Sequence, residues 1–421
     1  MTKILFILRC YSGFEKSLIK KEWSPSGAPT IVKLLEHFQK NKKCNILFLS
    51  KSNNPELKLI KDRILKLKKL AIPVYFIRGQ LLFLSSTKLG KLYNELYNLL
   101  FIIYYLFKLK PKIIYSDHAN IFITSLIARY MRIKTVVRLM GVKDDMRDCI
   151  NGNSIYHRLL NWSYRAPFSL VIATQDGAGS DTWMQKALIN KVPRKTILNG
   201  VDRSLRPKKL QMNKQLPKNK ILVIFLGRLE EDKAPDKFLE SFMIVRKKIP
   251  NKYHCIIVGS GSMQKILNDI ISREKAFNEV SFFSNINANN ILFLLNNSDI
   301  YVSLNRFGNL SNANIEAMVS GKAMIIPKSK KKLGIDIYTD SIIKDNAVLR
   351  VTSSDSIKEV ADSIIYLSQN KKIRNDLEKN ISAISNIHIE SWKKRIEWEY
   401  ELLNIIDSGT KTELKKYLKV I

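Results

Sequence analysis

Cysteine is scarce in this 421-residue chain. Cys10, Cys44, Cys149 and Cys255 are widely spaced and form no Cys-x-x-Cys pair. That argues against a zinc site or a disulfide scaffold and fits a reducing cytosol. Long apolar runs are missing too. The opening MTKILFILRC is too short an apolar run for a signal peptide. The longest apolar stretch, residues 99–107, falls far short of the roughly 20 residues that a spanning helix needs. The expectation is a soluble, cytoplasmic protein, or at most one lying on the inner face of the cell membrane. Acidic residues are the minority: 37 Asp plus Glu face 71 Lys plus Arg, for a net charge of +34. Such an excess favours anionic partners, whether nucleotides, phospholipid headgroups or nucleic acid, although a Lys-, Ile- and Asn-rich composition accounts for many of the same lysines. No Lys/Arg run interleaved with aromatics suggests a base-stacking platform, so nucleic acid is not expected.

What is present is a rhythm. Residues 4–8 (ILFIL) read as a buried parallel strand, followed by Ile31, Leu34, Leu35 and Phe38 at helical spacing. Strand-like runs recur at 45–49, 73–77, 112–115, 135–139 and 170–173. Residues 56–70 read as a basic helix with Leu57, Ile60, Ile64 and Leu67 on one face. Between 203 and 220 the pattern gives way to a polar, basic stretch broken by Pro207 and Pro217, the expected interdomain connection. It then restarts, with strands at 221–226, 255–258, 281–283, 299–302 and 323–326 and helices at 238–248, 263–272 and 288–296. An amphipathic helix carrying Trp392, Ile396, Tyr400 and Leu403 closes the series. Strand and helix alternating in this way imply an α/β fold with parallel sheets covered on both faces, in two domains.

Ligands of open parallel sheets bind outside the carboxyl ends of the strands, and three features fall there. Gly227-Arg228 and Lys233 directly follow a strand. Their cations can clamp a diphosphate and stabilise it as a leaving group, or simply pair with Glu230, Glu231 and Asp232 on a solvated loop. Gly259-Ser260-Gly261 opens a helix, as an anion site or as a tight strand-to-helix turn. The run 306–318 offers small and amide residues whose backbone N–H groups suit sugar hydroxyls or phosphate. Behind it Glu316 can accept both hydroxyls of a ribose, or merely complement the helix dipole.

These three features, in this order, resemble the retaining glycosyltransferases of family 4, which have the GT-B fold. The likeness extends to Asn199-Gly200-Val201-Asp202, to Val280 to Ile286, to Glu316-Ala317-Met318 with its closing Gly321, to the final helix from Ser391 to Leu403, and to Ser26-Gly27-Ala28. It implies two Rossmann-like, doubly wound domains facing a cleft, with a C-terminal helix crossing back. The acceptor-side domain would take 1–203, the linker 204–220, the donor domain 221–387 and the returning helix 388–421. It further implies that Arg228 and Lys233 hold the donor diphosphate, Glu316 the ribose, and backbone at Ser311, Asn312 and Ala313 the phosphate and sugar. Gly227 and Gly259 shape the donor turns, Ile286 lies beside the base, and Gly27 lies near the donor phosphate or acceptor. The reaction implied moves a sugar from a nucleoside diphosphate to a hydroxyl of a glycan or lipid-linked glycan with retention, as in surface polysaccharide or lipopolysaccharide synthesis. No cofactor and no metal are implied, and the chain contains no Asp-x-Asp pair.

Two positions depart from the family. Gly308 stands where a glutamate is usual, and Asn309, Asn312 and Asn314 are the candidates to replace its sugar contact. The usual first-domain histidine is also missing at Val137-Arg138-Leu139. His118 is the candidate catalytic substitute or a structural histidine, while Arg138 either approaches the donor or pairs with Asp144 or Asp145. The lysines of 56–70 (Lys58, Lys61, Lys66, Lys68, Lys69) and Arg63 suit an anionic membrane surface, or only solvent. An epimerase or a non-catalytic nucleotide-binding protein on the same fold is the competing reading.

Overall fold

The computed structural model describes residues 4–39, 44–50, 54–60, 63–78, 88–203, 216–284 and 286–421. Two compact units form. The first takes Met1–Thr174, Ser180–Ile197 and Lys393–Ile421; the second takes Gln175–Gly179 and Leu198–Trp392.

The first unit is built on β1 (Ile4–Cys10), β2 (Cys44–Ser50), β3 (Ile64–Leu65), β4 (Val74–Arg78), β5 (Ile113–Asp117), β6 (Lys134–Leu139), β7 (Leu170–Thr174) and β8 (Arg194–Ile197). They lie in the order β3-β4-β2-β1-β5-β6-β7-β8. All neighbours are parallel except β3 and β4. The inner strands are apolar without alternation because helices cover both faces. On one face, Ile102, Tyr105 and Leu106 of the Lys88–Leu109 helix and Ile123 and Ile127 of the Ile121–Tyr130 helix pack on Leu5, Ile7, Leu47 and Ile114.

The chain returns to this unit at its end. From Lys393 onward the Trp392–Ser408 helix belongs to it, with the Tyr400 ring 4.8 Å from His37 and 5.1 Å from Phe38. Beneath that helix lies a buried ionic cluster. Arg138 of β6 donates to Glu399 at 3.0 Å and to the Thr174 hydroxyl at 2.8 Å. Arg395 pairs with the same carboxylate at 2.8 Å, and the Tyr115 hydroxyl donates to it. Burial opposes ionisation of Glu399, but Arg138 and Arg395 outweigh it and hold the carboxyl below its ordinary range. The partner of Arg138 is thus Glu399, not Asp144 or Asp145, because the side chain of β6 points under the returning helix.

The expected basic helix over 56–70 does not form. Helix is confined to Pro55–Lys58, capped by Asn54, whose side chain accepts from the Glu56 amide at 3.0 Å. Ile64 and Leu65 then pair antiparallel with Tyr75 and Val74. Lys68 exchanges backbone hydrogen bonds with Lys21 and Trp23 at 2.9 and 2.8 Å. The buried apolar residues are Leu57, Leu65, Leu67 and Leu70, whereas Ile64 is exposed, so the side-chain period is that of an extended edge and not of a helix. Lys61 lies outside the described residues.

The second unit carries β9 (Ile221–Leu226), β10 (Tyr253–Val258), β11 (Val280–Phe283), β12 (Ile300–Val302), β13 (Ala323–Pro327) and β14 (Leu349–Val351) in the order β11-β10-β9-β12-β13-β14, all parallel. Counted from β9 this is 3-2-1-4-5-6, the doubly wound order whose direction reverses between its first and fourth strands. The helices Ile357–Gln369 and Lys371–His388 complete the cover, with Val360, Ile364 and Leu377 buried beside Phe238 and Phe242. Of the polar stretch before β9, residues 204–215 lie outside the described residues. Leu216 packs against the core of this unit.

Candidate functional site

The point where strand order reverses in the second unit lies between β9 and β12, and both strands deliver candidate residues from their carboxyl ends. After β9 come Gly227, Arg228 and a short turn of 3₁₀ helix, Glu231–Lys233. After β12 comes the loop that leads through Ser311 into the Asn312–Val319 helix. The two loops are joined directly, the Arg306 amide donating to the Asp232 carbonyl at 2.9 Å. The candidate cations thus follow β9, and Glu316 lies in the helix that the loop of the neighbouring strand β12 enters.

The two cations differ in setting. The Arg228 side chain is 69% exposed and stands 3.5 Å from Asp232. Lys233 is 21% exposed, with its ammonium 3.0 Å from the same carboxylate. Asp232 is therefore a counter-ion shared by both cations.

The glycines let backbones stack. The Gly227 amide donates to the Val258 carbonyl at 3.0 Å, and the Leu229 amide to Ser260 at 3.0 Å. Gly259 has φ +145°, and a Cβ there would run into the Gly227 carbonyl oxygen. Gly259→Ala is expected to cost the second unit about 1–3 kcal/mol and to open the turn; chemical denaturation of the variant measures this.

The Asn312–Val319 helix opens with Ser311 as its cap, whose hydroxyl accepts from the Asn314 amide at 3.4 Å and donates to its side-chain oxygen at 2.8 Å. Among the described residues nothing accepts from the amides of Asn312 and Ala313, which leaves two N–H groups at a positive helix end. Glu316 lies one turn further on. Among the described residues no hydrogen bond or ion pair reaches its carboxylate, and burial pushes the group up to about 7. Its charge in turn raises the Tyr301 phenol of β12, already raised by burial.

Each of the asparagines expected to replace the missing glutamate makes a hydrogen bond that holds the loop or ties it to a neighbouring segment. Asn314 accepts from Tyr301 at 3.0 Å and donates to the Asn309 carbonyl at 3.2 Å. Asn312 accepts from Asn199 at 2.7 Å, which seats the Asn199-Gly200 turn beside the helix start. Asn309 gives its backbone and side-chain N–H groups to Asp336 at 2.7 and 2.6 Å.

Two carboxylates here escaped the sequence reading. Asp336 grips Asn309 and accepts from Thr339 at 2.6 Å. Asp176 sits on Gln175–Gly179, a stretch that follows β7 in sequence yet packs in this unit. Its carbonyl accepts from the Leu310 amide at 3.0 Å, and that of Gly177 from the Asp336 amide at 2.7 Å. Burial raises Asp176 to about 6, with Lys233 pulling it back and Asp336 pushing it up. Gly308, at φ +132°, touches this segment closely: a Cβ would stand 2.5 Å from the Asp176 carbonyl oxygen, so no side chain fits there. The only local signal was a Gln-Asp-Gly after a strand, which is commonplace.

Ile286 is half-buried after β11, packed on the core that includes Ile224 and Val258; Asn285 beside it lies outside the described residues. In the first unit, Gly27 occupies the turn ahead of the Pro29–Gln39 helix. His118 stands at the end of β5, where burial and then the charges of Lys143 and Arg9 hold its imidazolium down to about 4. It is a neutral imidazole at pH 7, with Nδ1 lacking a hydrogen-bond partner among the described residues.

Residues 208–383 match the family described as glycosyl transferases group 1. The uncharacterized glycosyltransferase MJ1069 of Methanocaldococcus jannaschii is 26% identical over 191 residues, 44% of this chain and 45% of that protein, so the match spans under half of either. Among solved structures, sucrose-phosphate synthase from Thermosynechococcus elongatus superposes with a TM-score of 0.72 at 13% identity, over 97% of this chain and all of that one. Anabaena HepE, solved in complex with UDP, gives 0.64 at 18% identity over 96% of this chain and all of that one. The chain accordingly has the two-domain GT-B-like fold, and residues 208–383 are similar to the glycosyl transferases of group 1.

Proposed function

We propose that this protein transfers a sugar from a nucleoside-diphosphate donor to a hydroxyl of a glycan or lipid-linked glycan, with retention of anomeric configuration and without a metal ion. The observation that carries the reading is that the adjacent strands β9 and β12, at the strand-order reversal of the second unit, lead into a loop with paired cations and into a helix start with two amides and a carboxylate that are without partners among the described residues. Arg228 and Lys233 neutralise the diphosphate and ease its departure, a task a metal would otherwise perform. The amides of Asn312 and Ala313, behind the Ser311 cap, receive phosphate or sugar oxygens. Glu316 takes the ribose hydroxyls, and Ile286 lies beside the base. In the first unit, His118, a neutral imidazole, is the residue proposed to hydrogen-bond the reacting sugar, and Gly27 the one proposed for donor phosphate or acceptor. A cytoplasmic enzyme of surface polysaccharide or lipopolysaccharide synthesis fits this chemistry. The deciding experiment incubates the pure protein, with and without EDTA, with a panel of nucleotide sugars and follows slow hydrolysis. Turnover of one donor, unchanged by EDTA, is expected; no turnover of any donor, together with no thermal stabilisation by any nucleoside diphosphate, removes the reading.

Glu316 gives a pH signature. An acid raised on folding from 4.5 to about 7 is ionised in the unfolded chain while still protonated in the native one, so native stability falls as pH rises across that interval. Hydroxyl donors prefer the carboxylate, so nucleotide affinity rises as pH passes about 7. Glu316→Gln is expected to flatten both trends and to cost about 1.5–3 kcal/mol of nucleotide binding at pH 8. Calorimetric titration and denaturation at several pH values check it. A variant that binds nucleotide normally at pH 8 would leave Glu316 a structural role only.

A further inference from the structure

The Lys88–Leu109 helix of the first unit is apolar on the side it turns away from the sheet. Its inner face, with Asn98, Ile102, Tyr105 and Leu106, is buried. On the outer side Tyr93, Leu96, Leu100, Tyr104 and Phe107 recur every three or four residues and are 41%, 51%, 67%, 53% and 69% exposed. A sheet-covering helix ordinarily puts charge there. Between Tyr93 and Phe107 the sequence has a single charged residue, Glu95. At 1.5 Å per residue the row runs about 20 Å along one helix, longer than the scattered single hydrophobics of an ordinary surface.

Its flanks are basic. Residues 88–112 hold five lysines and one acid. Lys108, Lys110 and Lys112 are exposed at the end of the row, and the Lys108 ammonium stands 5.6 Å from the Tyr104 ring centroid. Tyrosines interspersed with leucine and phenylalanine, ending in lysines, match the layered chemistry of a lipid interface: apolar body inward, polar tips and ammonium groups at the headgroups. No described helix is long and apolar enough to cross a membrane. Such a helix lies in the plane of the surface, and the net charge of +34 selects an anionic one.

We propose that the outer face of the Lys88–Leu109 helix, with Leu100 at its centre and Phe107 at its lysine-flanked end, docks the protein on an anionic phospholipid surface. The expected basic helix at 56–70 does not exist to fill that role; this apolar row supplies the insertion and its lysines the attraction. The proposal deepens the lipid-linked-acceptor reading above, but its test does not need transfer to occur.

The full chain is floated with vesicles of pure phosphatidylcholine and with vesicles containing phosphatidylglycerol. Recovery with the anionic vesicles only, falling in high salt, is expected. The double variant Leu100→Glu/Phe107→Glu, altered at exposed positions, should keep the wild-type melting temperature and partition about tenfold less. Equal recovery with both vesicle types, or an unchanged variant, overturns the proposal. So does a wild-type dimer, seen by size-exclusion chromatography with light scattering, that the variant converts to monomer while neither binds vesicles; the row is then an interface between two copies. Donor hydrolysis on the same samples separates the two readings, since flotation without hydrolysis tells against the transferase and hydrolysis without flotation tells against the docking face.

Discussion

Lys233→Ala is expected to slow sugar transfer by a factor of about 10²–10³, the cost of removing one preorganised group from a developing negative charge. Lys233 is the better placed of the two cations. Its side chain is 21% exposed where that of Arg228 is 69%, and a charge partly withdrawn from water acts through a lower effective dielectric. Arg228→Ala should therefore lose less, and Lys233→Arg should keep the charge while misplacing it, giving an intermediate rate. Folding does not confound the measurement, because the Lys233–Asp232 pair sits at a partly wet surface where such contacts contribute about 1 kcal/mol or less. Steady-state turnover of the donor found in the panel reads the effect. A Lys233→Ala enzyme with wild-type turnover would remove leaving-group stabilisation from this loop.

Glu399→Ala is expected to destabilise the first unit by about 3–5 kcal/mol, the size found when one partner of a buried ion pair is removed. Arg138 and Arg395 both rely on that carboxylate, and the side chains of all three are fully buried. Without it two guanidinium groups face each other in an apolar layer. Replacing Arg138, Arg395 and Glu399 together by apolar residues of similar volume should recover most of the loss, since the desolvation cost of the charges disappears with them. Chemical denaturation of the three proteins checks the order: wild type, then triple variant, then Glu399→Ala. Because the Glu399 carboxyl is held below its ordinary range, the stability it supplies is complete above the unfolded-state carboxylate pKa. It is lost only as pH falls below that range toward the depressed native value.

Much of the scaffold was legible because buried parallel strands write themselves as short unbroken apolar runs. Residues 221–226 were read as a strand and form β9 with those limits; 4–8 were read short, since Arg9 interrupts an apolar run that pairing with β2 carries on to Cys10. The misread helix at 56–70 shows the limit. Leu57, Ile60, Ile64 and Leu67 fit a helical face on paper, but pairing with β4 decided the conformation and turned Ile64 outward. Strands β8 (RKTI) and β14 (LRV) carry polar residues and are only partly buried, so they wrote no apolar run, whereas the equally short β11 (VSFF) and β12 (IYV) did.

The site divides in the same way. Gly227, Arg228, Lys233 and Gly259 follow strand ends, and Glu316 lies in the helix that the β12 loop enters, where a local sequence pattern and a general rule of parallel sheets meet. The asparagines of 309–314 looked available to a sugar and are instead bonded to Asp336, Asn199 and Tyr301. Asp176 and Asp336 had no local signature, since what makes them notable is each other's segment 160 residues away.

By itself the sequence determined the order of the strands it spelled in apolar runs, the division into two α/β units, and the residues that follow the strand ends. Hydrophobic burial and chain-local turn chemistry act over a few neighbours, and they leave a record in neighbouring letters. Only the tertiary structure decided which charges pair inside the first unit, which amides are consumed in holding a loop, and which apolar helix face is left looking at solvent. Those depend on distances between segments far apart along the chain, and no local pattern encodes them.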